Sequence, residues 1–206
     1  MNIVIVGQGA IGLLWYHHLS SLSQNDDDSD LIQLHLLASP QKNLSLNNGK
    51  FKDKQYAFTD HDQCTHKGII NYASTINIQQ ADCILLCVKS FQIAPALQPI
   101  SSTLNTNTAI VLAHNGMGTL EELPQNIKSK HDIYTLLTTH GCLRTAPLQV
   151  THTGIGSTDI GLLSGSNNTL QQQALTQLLH AALPEVMYHP NIKHKQWLKL
   201  AINCVI

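Results

Sequence analysis

The stretch Asn2-Ile-Val-Ile-Val6, followed by Gly7-Gln8-Gly9-Ala10-Ile11-Gly12 and an apolar run through Leu19, decides the fold. A strand-length apolar segment feeds directly into a glycine-rich turn that opens a helix, and this context gives a G-x-G-x-x-G match its meaning. Gly7 permits the tight turn, Gly9 lets the backbone approach a pyrophosphate, and Gly12 allows helix and strand to pack closely. The first helical turn then offers unpaired N–H groups and the positive end of its dipole to phosphate. A glycine turn that binds nothing is the competing reading. The strand before, the helix after and the position at the start of the chain weigh against it.

Composition narrows the class. Of 206 residues only 12% are charged, about half the usual share, and the net charge of −1 gives no electrostatic case for nucleic acid or an anionic membrane. No apolar run reaches the length of a membrane span, and the N-terminus lacks the basic segment and cleavage site of a signal peptide. Five cysteines without metal-ligand spacing read as buried free thiols in a reducing cytoplasm. Twelve histidines are scattered along the chain with no H-E-x-x-H and no cysteine partner, so no metal is expected and they read as surface and packing residues.

Further along, Gln24–Asp30 is an acidic, polar turn and Leu31–Ala38 a second strand. Residues 47–80 read as short strands and loops. Asp82-Cys-Ile-Leu-Leu-Cys-Val88 is a nearly continuous apolar run, as expected of a parallel strand buried on both faces. Similar runs follow at Ala109–Ala113 and Ile133–Leu137, with helical patterns near 90–104 and 117–123 between them. Strands alternating with helices imply a Rossmann-like, doubly wound, mostly parallel α/β sheet. Residues 148–163 suggest an antiparallel addition, Asn168–Leu183 an amphipathic helix and Pro184–His189 a short strand.

In such a sheet, ligands sit beyond the carboxyl ends of the strands. Lys89 follows one strand, and its cationic side chain either faces cofactor phosphate or ribose or is an ordinary solvated lysine. Asn115, in His114-Asn-Gly-Met-Gly118, either hydrogen-bonds a carbonyl-bearing ligand or belongs to an Asn-Gly turn. Thr138-Thr-His-Gly141 is assigned nothing beyond backbone contacts. From Trp197 to Ile206 every residue is apolar except Lys199 and Asn203, whose i, i+4 spacing stacks them on one helical face. With Lys195 a turn earlier this reads either as a solvent stripe or as a lysine held against an apolar wall, able to donate its proton to a carbonyl undergoing reduction.

Gly7–Gly12, Cys87-Val-Lys-Ser-Phe-Gln92, His114-Asn-Gly-Met-Gly-Thr-Leu-Glu-Glu122 and Trp197-Leu-Lys-Leu-Ala-Ile-Asn-Cys-Val-Ile206 together resemble the ketopantoate reductase (2-dehydropantoate 2-reductase) family, in order and spacing across essentially the whole chain. The resemblance implies an NADP-dependent oxidoreductase that reduces 2-dehydropantoate to pantoate in the cytoplasmic route to pantothenate and coenzyme A. It implies that Gly7, Gln8, Gly9, Ala10, Ile11 and Gly12 hold the NADPH pyrophosphate and that Lys89 lies near the cofactor. Asn115 would contact cofactor and substrate, and Cys142 would make a backbone contact to the cofactor. Lys199 would be the catalytic lysine, protonating the nascent alkoxide while touching substrate, and Asn203 would bind substrate.

Two departures stand out. Ala38 occupies the place where the family often carries an arginine for the 2′-phosphate, and no acid sits there to select NAD, so Ser39 and Lys42 are the alternative phosphate donors and NADPH stays favoured. The chain also stops at Ile206 within an apolar helical run, without cap, glycine or polar tail. The expectation is an NADP-binding domain over 1–189 and, over 190–206, the start of a C-terminal helical domain whose remainder is absent. On that reading the chain alone is inactive or nearly so, and poorly soluble through exposure of Trp197, Leu200 and Val205. The rival readings are a reductase of a related 2-oxo acid and a non-enzymatic dinucleotide-binding module.

Overall fold

The computed structural model describes residues 1–23, 32–38, 54–166 and 168–205. The acidic turn at 24–30, and Ser39 and Lys42, lie outside the described residues. In chain order the first elements are β1 (Asn2–Val6), α1 (Ala10–Leu22), β2 (Gln33–Leu37), β3 (Lys54–Thr59), β4 (Thr65–Ile70) and α2 (Thr75–Gln79). Then come β5 (Cys83–Leu86), α3 (Ser90–Leu97), β6 (Ala109–Leu112), α4 (Thr119–Glu122), α5 (Gln125–Lys130) and β7 (Ile133–Thr138). The last are β8 (Gly141–Ala146), β9 (Gln149–Gly154), β10 (Thr158–Ser164), α6 (Thr169–Ala182), β11 (Val186–Tyr188) and α7 (Ile192–Val205).

The continuous apolar runs form the middle of a seven-stranded sheet of order β11-β10-β7-β6-β5-β1-β2. All neighbours are parallel except β10 against β7. Because successive side chains point to opposite faces, Ile3, Ile5, Cys83, Leu85 and Val111 join one core with α1 and α6. Val4, Val6, Ile84, Leu86, Ile110 and Leu112 join a second core with α3 and α5 on the other face. A strand buried on both faces has no polar positions to spare, which explains the unbroken hydrophobicity of these segments.

The sequence places short strands in 47–80 and an antiparallel addition over 148–163, without relating them. The structure gives β10 alone to the central sheet and unites the rest in a second sheet of order β4-β3-β9-β8. Its central pairing is parallel, Phe58 beside Val150 and Thr59 beside Thr151. Tyr56, Phe58 and Val150 turn onto α1 and merge with its core. The Tyr16 hydroxyl completes this seam, donating to the Ile69 carbonyl at 3.2 Å and accepting from the Asn71 N–H at 2.8 Å. Walled by two sheets, α1 keeps Leu13, Leu14, Trp15 and Tyr16, four consecutive residues, at no more than 1% exposure.

Other expectations shift locally. The helix drawn over 90–104 ends at Leu97, with Pro95 in its last turn, and the one over 117–123 contracts to α4 behind a left-handed Gly118. Cys83 and Cys87 are buried and Cys142 half-buried, but Cys64 and Cys204 are exposed; all five are free thiols. No helix among the described residues is long and apolar enough to cross a membrane.

Six of the twelve histidines, scattered in sequence, come together in space. His17 and His18 of α1, His61, His66 of β4, His140 and His152 of β9 surround one cavity of about 430 Å³. His17 stacks on Phe58 with ring centroids 4.1 Å apart. Among the described residues no three His, Cys, Asp or Glu side chains converge to hold a metal ion. Burial and neighbouring rings instead lower His17 and His18 from 6.5 to about 4.

Two outcomes are expected. Adding a methyl at Gly12 drives its Cβ into the Gly7 carbonyl, so Gly12→Ala should cost on the order of 1–3 kcal/mol, read from urea denaturation. The depressed histidines make the unfolded chain bind more protons than the folded one between pH 6.5 and about 4. Stability is therefore full above that window and declines through it as pH falls. The urea midpoint should drop from about pH 7 to about pH 4.5, and drop less in His17→Phe.

Candidate active site

Three glycines in one turn have two different reasons to be there. Gly7 carries φ of +110°, and a Cβ on it would stand 2.7 Å from the Cys87 carbonyl oxygen. Gly12 abuts the Gly7 carbonyl. The fold itself demands both. Gly9 has an ordinary φ of −81°, and a Cβ there would meet nothing within 4 Å. Neither strain nor packing requires it, and the open space beside it leaves room for the close approach of a second molecule. Gly9 is also the N-cap of α1, which starts with no side-chain cap and no acidic residue in its first turn. Its first N–H groups and its positive dipole end are left for an anion.

This turn opens onto a cleft of about 530 Å³ at the carboxyl ends of β1, β5, β6 and β7. The cleft spans the point where strand order reverses between β1 and β5, the usual ligand position in an open α/β sheet. It gathers Gly9, Ala10 and Ile11 with Lys89 and Asn115, residues that lie far apart in the chain. Gly7, Gln8 and Gly12 form the framework of the turn behind it, with the Gln8 side-chain Oε1 accepting from the Tyr72 hydroxyl at 3.4 Å. Cys142, on β8, approaches from beside α1, its thiol donating to the Ala10 carbonyl at 3.5 Å. Burial pushes that thiol up to about 12, so it stays protonated.

The loop after β6 is held from within. His114 is buried with Nε2 2.6 Å from Thr119 Oγ1, and burial lowers its pKa. Between these anchors Gly116 and Gly118 adopt φ of +119° and +85°, turning the loop so that Asn115 stays exposed in the cleft wall.

Lys199 reaches the same edge from α7. Its Nζ donates to the Thr138 carbonyl at 2.5 Å, at the end of β7, and Thr138 lines the cleft. One face of the helix thus serves as the lysine-bearing stripe, while Gln196, one turn earlier and buried, donates to Thr135 Oγ1 at 3.3 Å. Burial lowers the Lys199 pKa, and the Asp159 carboxylate works against that shift. Asp159 is itself gripped by His189 Nε2 at 2.6 Å and Lys195 Nζ at 3.4 Å. Asn203 belongs to α7, but its side chain, like that of Val205, lies outside the described residues. Trp197 is exposed and Leu200 half-buried.

Sequence reasoning missed one side chain, His140. The segment Thr138–Gly141 was assigned backbone contacts only, yet the His140 ring forms part of the cleft wall. Its placement depends on the second sheet, which no local pattern announces.

Residues 3–165 match the family model described as ketopantoate reductase PanE/ApbA. The chain is 32% identical over 206 residues to the 2-dehydropantoate 2-reductase of Vibrio cholerae, covering 100% of this chain and 62% of that protein. It is 34% identical to that of Yersinia pestis, covering 100% of this chain and 60% of that protein. The chain thus spans about 60% of the length of these curated relatives. In fold it resembles a D-mandelate dehydrogenase solved with NADH and anilino(oxo)acetate, with a TM-score of 0.75, 20% identity, and coverage of 98% of this chain and 61% of that one. A 2-dehydropantoate 2-reductase structure from Geobacter metallireducens gives a TM-score of 0.72 at 22% identity, covering 98% and 62%.

The environment of Lys199 is directly measurable. In a reductively ¹³C-methylated chain, Lys199 should titrate below the ordinary lysine value of 10.5. Asp159→Asn removes the opposing charge and should lower it further. A Lys199 resonance titrating at or above 10.5 contradicts the burial described here.

Proposed function

The chain belongs to the ketopantoate reductase family, and from that premise we propose that it carries the NADPH-binding half of an enzyme that reduces 2-dehydropantoate to pantoate for pantothenate and coenzyme A synthesis. The observation that carries the proposal is the convergence, on one sheet edge, of an uncapped glycine turn, Lys89, Asn115 and the carbonyl that anchors Lys199. The space beside Gly9 is a cradle that a Cβ would begin to fill.

In this reading residues 1–189 form the dinucleotide domain, and 190–206 open a helical region that brings Lys199 and Asn203 to the substrate. Backbone N–H groups of residues 10–12 receive the pyrophosphate, framed by Gly7, Gln8 and Gly12. Lys89 adds a positive charge at the cleft mouth, and Cys142 backs the turn through Ala10. The reduced nicotinamide, when bound, supplies the hydride. Asn115 orients the carbonyl by hydrogen bonding, and Lys199 holds a proton at Nζ beside it. Partial burial makes that ammonium a better acid, and its charge stabilises the oxygen as negative charge develops there. Donation of the proton to that oxygen completes the alcohol. The net charge of −1 offers no electrostatic case for nucleic acid or an anionic membrane, and the partners in this reading are the dinucleotide and a small 2-oxo acid.

The relatives extend well beyond the matched portion, and we expect the 206-residue chain by itself to bind NADPH with little turnover. Fluorescence titration should show saturable NADPH binding that Gly9→Ala weakens at least about tenfold, or about 1.4 kcal/mol. The same substitution should leave unfolding within about 0.5 kcal/mol of the parent chain. Single-turnover oxidation of bound NADPH across a panel of 2-oxo acids should be fastest with 2-dehydropantoate and fall about 10²–10⁴-fold in Lys199→Ala. Faster oxidation with another 2-oxo acid favours a related reductase. Saturable NADPH binding without oxidation by any 2-oxo acid, unchanged in Lys199→Ala, favours a binding module, and failure to bind NADPH overturns the reading.

A further inference from the structure

The face that α7 turns to the central sheet is not apolar throughout. Ile192, Gln196 and Lys199 stand at i, i+4 and i+7, the spacing of one helical stripe. Ile192 is 1% exposed and Gln196 7% exposed. A glutamine in the middle of a buried stripe is unusual, because its amide loses water on burial and must find partners inside the protein. Gln196 finds one on β7: its Nε2 donates to Thr135 Oγ1 at 3.3 Å. The Thr135 hydroxyl, wholly buried, directs its single proton to the Leu112 carbonyl at 3.4 Å, which leaves its oxygen to accept from the glutamine. The result is a directed chain of bonds from α7 through β7 to β6.

The neighbouring strand makes room for this contact. Gly161 pairs with Thr135 across the β10–β7 register, and a Cβ on Gly161 would run into the Ile192 side chain. A missing side chain thus lets α7 settle onto the sheet at the rung where the Thr135 hydroxyl is met. Apolar contact is non-directional and tolerates sliding. A buried hydrogen bond does not, since a misplaced partner strands a desolvated donor or acceptor. A slip of one residue would move a side chain about 1.5 Å along the helix axis and about 100° around it, out of reach of Thr135. Lys199 lies three residues beyond Gln196, and its anchor, the Thr138 carbonyl, three residues beyond Thr135. One register satisfies both contacts.

We propose that Gln196, bonded to Thr135, is a positioning residue for Lys199: it fixes α7 in the register that holds the ammonium group at the Thr138 carbonyl, on the edge of the cleft. The proposal rests on Lys199 being the proton donor of the reaction. Neither Gln196 nor Thr135 lines the cleft, so their effect on the chemistry passes through the lysine.

The test replaces both partners together. Gln196→Leu or Thr135→Val alone leaves a buried group unmet and lowers stability whatever the role of the pair. With both substitutions the stripe is apolar, and the urea midpoint should lie above those of the two single variants. Two readouts then separate positioning from packing. In chains labelled with ¹³Cε-lysine, with Lys199→Arg assigning the signal, Lys199 should titrate closer to the ordinary 10.5 in the double variant than in the parent, because a freed side chain regains water. Asp159 and its partners His189 and Lys195 are retained in every variant. Single-turnover oxidation of bound NADPH by 2-dehydropantoate should fall about tenfold, with NADPH affinity within about twofold of the parent. Thr135→Ser keeps the hydroxyl and should match the parent in both readouts. Either readout unmoved in a folded double variant overturns the proposal, and so does a Thr135→Ser chain that behaves like Thr135→Val. Should the double variant not fold, the comparison of Thr135→Val with Thr135→Ser decides by the same two readouts. Oxidation indifferent to Lys199→Ala removes the proton-donor reading, and this proposal with it.

Discussion

The contact on which the rest depends is backbone against backbone, Gly12 resting on the carbonyl of Gly7. It brings the first turn of α1 down onto the end of β1, which sets both the helix axis and the place where its N–H groups emerge. The positive φ of Gly7 turns the chain there, and its N–H is taken up by Leu37 of β2 at 2.8 Å, so the neighbouring strand shares in fixing the turn. A side chain at either position would lift the helix and displace the anion site with it. Everything that packs on α1, including the whole second sheet, is referenced to that contact.

The opposite edge of the cleft depends on one reversal of strand direction. A helix that follows a parallel strand normally starts at the carboxyl edge and runs away from the ligand. Here β10 runs antiparallel to β7, with Thr158 opposite Thr138, and β11 follows β10. The chain therefore leaves β11 away from the cleft, and α7 runs back toward it. Its contacts track the direction: Ile192 lies against Gly161, Gln196 meets Thr135, and Lys199 meets Thr138. Two helical turns after its start, the helix delivers an ammonium group to the end of β7. The lysine's position is thus a consequence of topology as much as of the helix that bears it.

How much of this is legible in sequence depends on the range of the forces involved. The runs in β1, β5, β6 and β7 are readable because burial on both faces excludes polar residues locally, and the glycine turn because steric demand acts over a few positions. The i, i+4 stacking of Lys199 and Asn203 is equally local. The second sheet is not readable, because β3 and β9 pair across about 90 residues, and half of each strand faces away from the core and stays polar. Its consequences are hidden with it. Histidines from α1, β4 and β9 carry no common spacing, and they meet only because α1 lies beneath that sheet. His140 is the sharpest case, since its ring meets the amide of Gly156, on a loop that closes back over it.

The burial of α1 between two sheets has a further consequence for recognition. Helix ends ordinarily fray, and a ligand that binds a frayed end must spend part of its binding energy on ordering it. Leu13 to Tyr16 sit immediately behind the anion-binding turn and have no solvent face to fray toward, so opening that turn would disrupt the core on both sides of the helix. The turn is therefore carried by one of the most deeply buried helices of the molecule. Much of the conformational entropy of the turn is settled when the chain folds, and in the function proposed above a dinucleotide would have little left to order there.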